Sequence, residues 1–160
     1  MKNLLMILMA VCVTQSALAD DEMVTLIDTT PSEFAQSFNR LNQSEGHGVY
    51  KNIHLSNVYG ERSFTIASNI TLTVGAHEDG IEYIDLVCNQ PKQTAEKCMR
   101  SMPWIGSAVD PDFKQVSFMR MVGENLDVGV SVGYRQNGIE YHFVPDVKKN
   151  QIRLEIHAED

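Results

Sequence analysis

The ten letters VGAHEDGIEY at 74–83 return, little altered, as VGYRQNGIEY at 132–141. Both copies open Val-Gly and close Gly-Ile-Glu-Tyr, with Asp or Asn directly before the second glycine. Asp-Gly and Asn-Gly accept positive φ and close tight hairpins, and Ile-Glu-Tyr alternates as a strand does. A phosphate-cradling glycine loop would lead straight into a helix instead. The repeat therefore predicts one hairpin written twice. Gly75 and Gly133 suit a bulge or a sharp twist at a strand end.

The segments around the hairpins complete the fold class. In TTPSEFAQSFNRLNQ, Thr30 and Glu33 stand as a capping box with Pro31 in the first turn. Phe34, Phe38 and Leu41 follow as one apolar helical stripe, ending near Ser44. Short strands are expected at 23–27 and 49–58. The run SFTIASNITLTVG reads as a single half-buried strand, with Phe64, Ile66, Ile70, Leu72 and Val74 on one face. The formal glycosylation sequon at Asn69 lies inside that run.

A helix opens at Pro91, carries Ala95, Cys98, Met99 and Met102 on one face, and breaks or kinks at Pro103. Asp110-Pro111 caps another helix, with Phe113, Val116, Arg120 and Met121 in register and Gly123 beyond its end. Residues 126–134 and 139–144 form the second hairpin, and Ile152, Leu154 and Ile156 mark a last strand. The prediction is an α+β fold: an antiparallel sheet built from two similar β-hairpins plus flanking strands, with about three helices packed on one face. Residues 20–160 form one domain with two related halves, about 20–88 and 89–160.

The start of the chain has the marks of a signal peptide, residues 1–19. A basic Met-Lys-Asn precedes the apolar run at 4–13, and Ala17-Leu18-Ala19 offers a cleavage site. That run is too short to span a bilayer, so no membrane span is expected. Cleavage near Ala19 implies a periplasmic or secreted protein. It removes Lys2, so 13 basic side chains become 12 against 21 acidic, a net charge of −9. This balance repels nucleic acid and anionic membranes and favours encounter with a basic partner.

Cleavage also removes Cys12 and leaves Cys88 and Cys98 as a pair. In an exported chain two such cysteines predict a disulfide. With both bridged, no thiol nucleophile or cysteine metal pair remains. The chain has no G-x-S-x-G elbow, H-E-x-x-H helix, P-loop or EF-hand loop.

His54, His142 and His157 sit on the polar sides of their expected strands, where they would converge only if those strands were neighbours. Their spacing lacks the short-range pattern of a strong site, so they read as solvent-facing side chains. No metal and no cofactor is expected. Glu82 and Glu140 read as solvated carboxylates. Two surfaces stand out for partner binding: the hairpin tip His77-Glu78-Asp79, and Trp104 within the methionine-rich CMRSMPWIGSA.

The function that fits is a non-catalytic exported protein that binds another protein, an inhibitor or immunity-type factor blocking a basic exported enzyme. A small apolar ligand held between sheet and helices, with room left by Gly129, Ser131 and Gly133, is the alternative. A small hydrolase using the exposed carboxylates comes third.

Overall fold

The structure, a computed structural model, describes residues 25–57, 59–126 and 128–159. The signal peptide expected at 1–19 and the first residues of the strand expected at 23–27 lie outside them. Ile27 remains, and it makes an isolated antiparallel bridge to Ile81.

Among the described residues, three helices and six strands follow in the order α1 (Pro31–Ser44), β1 (Gly60–Ala67), β2 (Ile70–Ala76), β3 (Ile81–Asn89), α2 (Pro91–Val109), α3 (Gln115–Leu126), β4 (Val132–Gln136), β5 (Ile139–Asp146) and β6 (Gln151–Ala158). The strands form one antiparallel sheet ordered β1-β2-β3-β6-β5-β4. Each consecutive trio is a meander, and the last strand of each trio, β3 or β6, pairs with the other at the sheet's centre. This is the α+β class that the alternating segments imply.

One face of the sheet is apolar. Ile66, Leu72, Val74, Leu86, Tyr141, Phe143 and Leu154 are buried in one cluster with Phe34, Phe38, Ile105, Phe118 and Val122 of the helices. Thr30 and Glu33 complete the capping box at the start of α1. The Thr30 hydroxyl holds the Glu33 carboxyl below the usual carboxylate range. Cys88, at the end of β3, and Cys98 of α2 form the disulfide, with Cα atoms 6.0 Å apart, well inside bridging distance.

Several expectations are corrected. Of the strand expected at 49–58, residues 49–57 form none; side chains of α1 take the backbone groups of Tyr50 and Ile53, and the Lys51 N–H donates to the Ile66 carbonyl at 2.8 Å. The Asn42 amide donates to the Tyr50 carbonyl at 2.8 Å and accepts the Tyr50 N–H at 3.1 Å. Asn39 does the same for Ile53, at 2.8 and 2.9 Å. The single strand expected across 63–75 is two strands. A tight turn at Ser68-Asn69, with Asn69 at φ 59°, separates β1 from β2 and sets the sequon at a turn.

The α2 helix runs unbroken through Pro103. The hydrogen bond that proline removes is offset by burial of Trp104, Ile105, Ala108 and Val109 beyond it. The next helix starts at Gln115 rather than at Pro111, because Asp110 Oδ1 accepts the Asp112 N–H at 2.9 Å and holds a turn there. It buries Phe118 and Val122, leaves Val116 75% exposed, and continues past Gly123 to Leu126. For that reason β4 is short and begins only at Val132.

Candidate functional site

The two copies of the repeat do form hairpins, but different ones. The second turns through Asn137 and Gly138, at φ 54° and 72°, the pair of positive values a type I′ turn requires. In the first, neither Asp79 nor Gly80 has positive φ. Gly80 is needed there for contact, since a Cβ would lie 2.5 Å from the Ile27 carbonyl oxygen.

A shift of register separates the copies further. Ala76 pairs with Ile81, but Gly75 pairs with Tyr83, so Glu82 is an extra residue on β3. A bulge of this kind reverses which face the following residues take. Tyr141 therefore points into the core and is fully buried, whereas Tyr83 points outward. Its hydroxyl donates to the Glu61 carboxylate. That bond, with some burial, pushes the Tyr83 hydroxyl up to about 12.

The opposite face of the sheet carries polar and charged residues in lateral rows. One row runs Glu61, Gly75, Tyr83, His157, Glu140, Arg135 from β1 to β4. The next runs Ser63, Thr73, Asp85, Glu155, His142, Gly133. Here the repeat has its shared structural logic: both early glycines are bare positions on this face. A Cβ on Gly75 would lie 2.4 Å from the Tyr83 ring, which crosses that strand to reach Glu61. A Cβ on Gly133 would lie 3.5 Å from Glu140 Oε1.

Two constellations occupy this surface. At the β1–β3 end, Tyr59 is 70% exposed and stands edge-on to His77, with ring centroids 4.7 Å apart. His77 Nε2 lies 3.5 Å from Glu82 Oε2, and Glu78 and Asp79 are exposed at the tip. Beside them is a groove of about 200 Å³ lined by Tyr59, Gly60, Glu61, Gly75, Ala76, Glu82 and Tyr83. The tip residues named from sequence are thus joined by two tyrosines and two further carboxylates. Sequence reading named Glu82 only as a solvated carboxylate, and it missed Tyr83 because the bulge at Glu82 hid its outward turn.

Nearer the other edge, Glu140 Oε1 accepts from Arg135 Nε at 3.0 Å and lies 2.9 Å from His142 Nε2. The Arg135 guanidinium holds the Glu140 carboxyl below the usual carboxylate range, against the opposing effect of burial and with a lesser contribution from the His142 ring. His142 and His157 stack, with centroids 5.4 Å apart and planes at 24°. One donor atom from each of Glu140, His142 and His157 lies within 4.8 Å of the others. His54 is not with them; it is exposed in the segment before β1. The readable signal was Glu-x-His on one face of β5, and the adjacency of β6 supplied the rest.

Trp104 belongs to neither constellation. It is 7% exposed and edge-on to Tyr50, with centroids 5.5 Å apart. A Cβ on Gly46 would lie 2.7 Å from its indole. It is a core residue, and its place as a partner-binding candidate is withdrawn. Gly129 and Ser131 fall outside the strands, Gly133 faces away from the helices, and the space between α3 and the sheet is filled by Phe113, Phe118, Tyr134 and Tyr141. Glu82 and Glu140, repeated in sequence, have different partners and form no carboxylate pair.

No helix among the described residues is long and apolar enough to cross a membrane. No family model matches the chain, and no curated protein or solved structure is similar to it at a level that carries an argument.

Proposed function

We propose that this chain is an exported, non-catalytic protein that binds and blocks a basic exported protein, as an inhibitor or immunity-type factor does. The reading rests on one observation above all: Tyr59 and Tyr83 flank a groove that also carries Glu61 and Glu82, beside the exposed Glu78 and Asp79. Tyrosine is among the residues that dominate protein interfaces, and carboxylates around it select a cationic partner. The groove has room for one long side chain, and a lysine or arginine entering it would meet aromatic faces and carboxylates together. The net negative charge of the chain would speed that encounter.

The test is capture of exported proteins on the immobilised chain at low ionic strength. A basic protein is expected to be retained, to elute steeply as salt rises, and to be lost from the Glu78→Lys/Asp79→Lys variant. Retention of no basic protein, or capture unchanged by that charge reversal, would overturn the proposal. Both substituted side chains are exposed at the tip, so the variant should keep its fold.

A further inference from the structure

We propose that Glu140, His142 and His157 form a binding site for one divalent transition-metal ion of the zinc class. The inference is independent of the protein-binding reading and uses different residues of the same sheet face.

Strand geometry brings the three together. Glu140 and His157 are direct partners across β5 and β6, and His142 follows Glu140 on the same face. Their donor atoms lie within 4.8 Å of one another. Tetrahedral zinc, with bonds near 2.0–2.1 Å, needs its donors about 3.3 Å apart. Small rotations of these side chains are the adjustment the site requires, opening the 2.9 Å Glu140–His142 pair while keeping His157 within reach.

The tautomer of one ligand is already set. His157 Nδ1 lies 2.9 Å from the Ala158 carbonyl oxygen, which can only accept, so Nδ1 carries the proton and Nε2 carries the lone pair. A second hydrogen bond of this type is how ligating histidines are oriented. His142 Nε2 faces Glu140 Oε1 at 2.9 Å. To ligate through that nitrogen it gives up the Nε2 proton, and the metal then replaces the proton between imidazole and carboxylate.

The donor set selects the ion. Two imidazoles with one carboxylate suit zinc, copper or nickel, whereas calcium and magnesium take oxygen ligands. Three protein donors leave a coordination position for water, and bare Gly133 flanks that side, its absent Cβ 3.5 Å from Glu140 Oε1 and 3.8 Å from His142 Cε1. Arg135 is the resident competitor. It bonds Glu140 at 3.0 Å and Glu159 at 3.1 Å, and its side chain is 61% exposed, free to swing away on Glu159.

The experiment is calorimetric titration of the untagged, chelator-treated chain with zinc chloride. One ion per chain is expected, with micromolar affinity. His142→Ala/His157→Ala should weaken binding at least about tenfold, and Glu140→Gln by a similar factor. Arg135→Ala should tighten it, because a competing cation leaves the carboxylate. His54→Ala, in the exposed segment before β1, should leave zinc affinity unchanged. Zinc should also raise the Tm of the native chain and leave that of the double-histidine variant unmoved. Absence of saturable binding, or affinity retained in His142→Ala/His157→Ala, would overturn the site. The variants alter side chains of the polar sheet face rather than of the core, and a cooperative melt of each shows that loss of binding is not loss of fold.

Discussion

Tyr83→Phe and Tyr141→Phe make one chemical change at one position of the repeat, and the fold gives them opposite signs. The Tyr141 hydroxyl is wholly buried with no hydrogen-bond partner, and burial pushes its ionisation far above the ordinary range. An orphan polar group of this kind costs about 1–3 kcal/mol. Deleting the oxygen leaves a void of about 10 Å³, a loss of roughly 0.2 kcal/mol. Tyr141→Phe should therefore stabilise by about 1 kcal/mol, or raise Tm by roughly 3 °C in a domain of this size.

The Tyr83 hydroxyl instead bonds an exposed carboxylate. Solvent screening reduces that bond to about 0.5 kcal/mol, which Tyr83→Phe should lose. The assay is urea unfolding of both variants beside the parent, with the slope m required to stay constant. A lowered midpoint for Tyr141→Phe would mean that its hydroxyl has a partner. Equal shifts in both would mean that the tyrosines share one environment, and the bulge at Glu82 would then be refuted.

Replacing Cys88 and Cys98 together by serine should cost about 3 kcal/mol, the loop-closure value for so short a ring, and the unreduced parent begun at Asp20, without Cys12, should show no thiol reactive to Ellman's reagent when unfolded in urea. Gly80→Ala drives a Cβ to within 2.5 Å of the Ile27 carbonyl oxygen; a loss of about 1–3 kcal/mol is expected in urea midpoints, and a neutral outcome would mean that the Ile27 bridge gives way freely. At alkaline pH, Tyr50, by burial, and Tyr83, by its bond to Glu61, are both pushed from 10.0 up to about 12. A raised folded value means that their contribution is intact below pH 10 and is lost as pH climbs through 12. Urea midpoints should decline across that window, less steeply in Tyr83→Phe; an identical decline in the variant would contradict this.

What the sequence made legible was local. Thr30, Pro31 and Glu33 announce α1 because capping chemistry acts over three residues, and the alternation of Ile70, Leu72 and Val74 announces a buried strand face. The cysteine pair announced its bridge by count and spacing. What stayed hidden depended on partners far along the chain. Residues 49–57 carry strand-like letters, yet Asn39 and Asn42 take the backbone groups of Ile53 and Tyr50 from a helix face. One extra residue at Glu82 sends the tyrosines of two identical Ile-Glu-Tyr triplets to opposite faces while both isoleucines stay buried, which no local pattern reveals. The outer-face histidines could be assembled only once β6 was known to lie beside β5, and Trp104 only once α1 and its following loop closed over it.

The pairing of β3 with β6 has a consequence for how the molecule comes together. The strand that leaves the ribosome after the five others takes a seat in the middle of the sheet, where Leu86 meets Leu154. Until it arrives, two short β-ribbons each show a raw inner edge and share no hydrogen bond. Assembly should thus be late and all-or-none, with sequence-distant contacts slowing it. A protease cut in the turn before Gln151 would split the fabric down its midline rather than fray its hem.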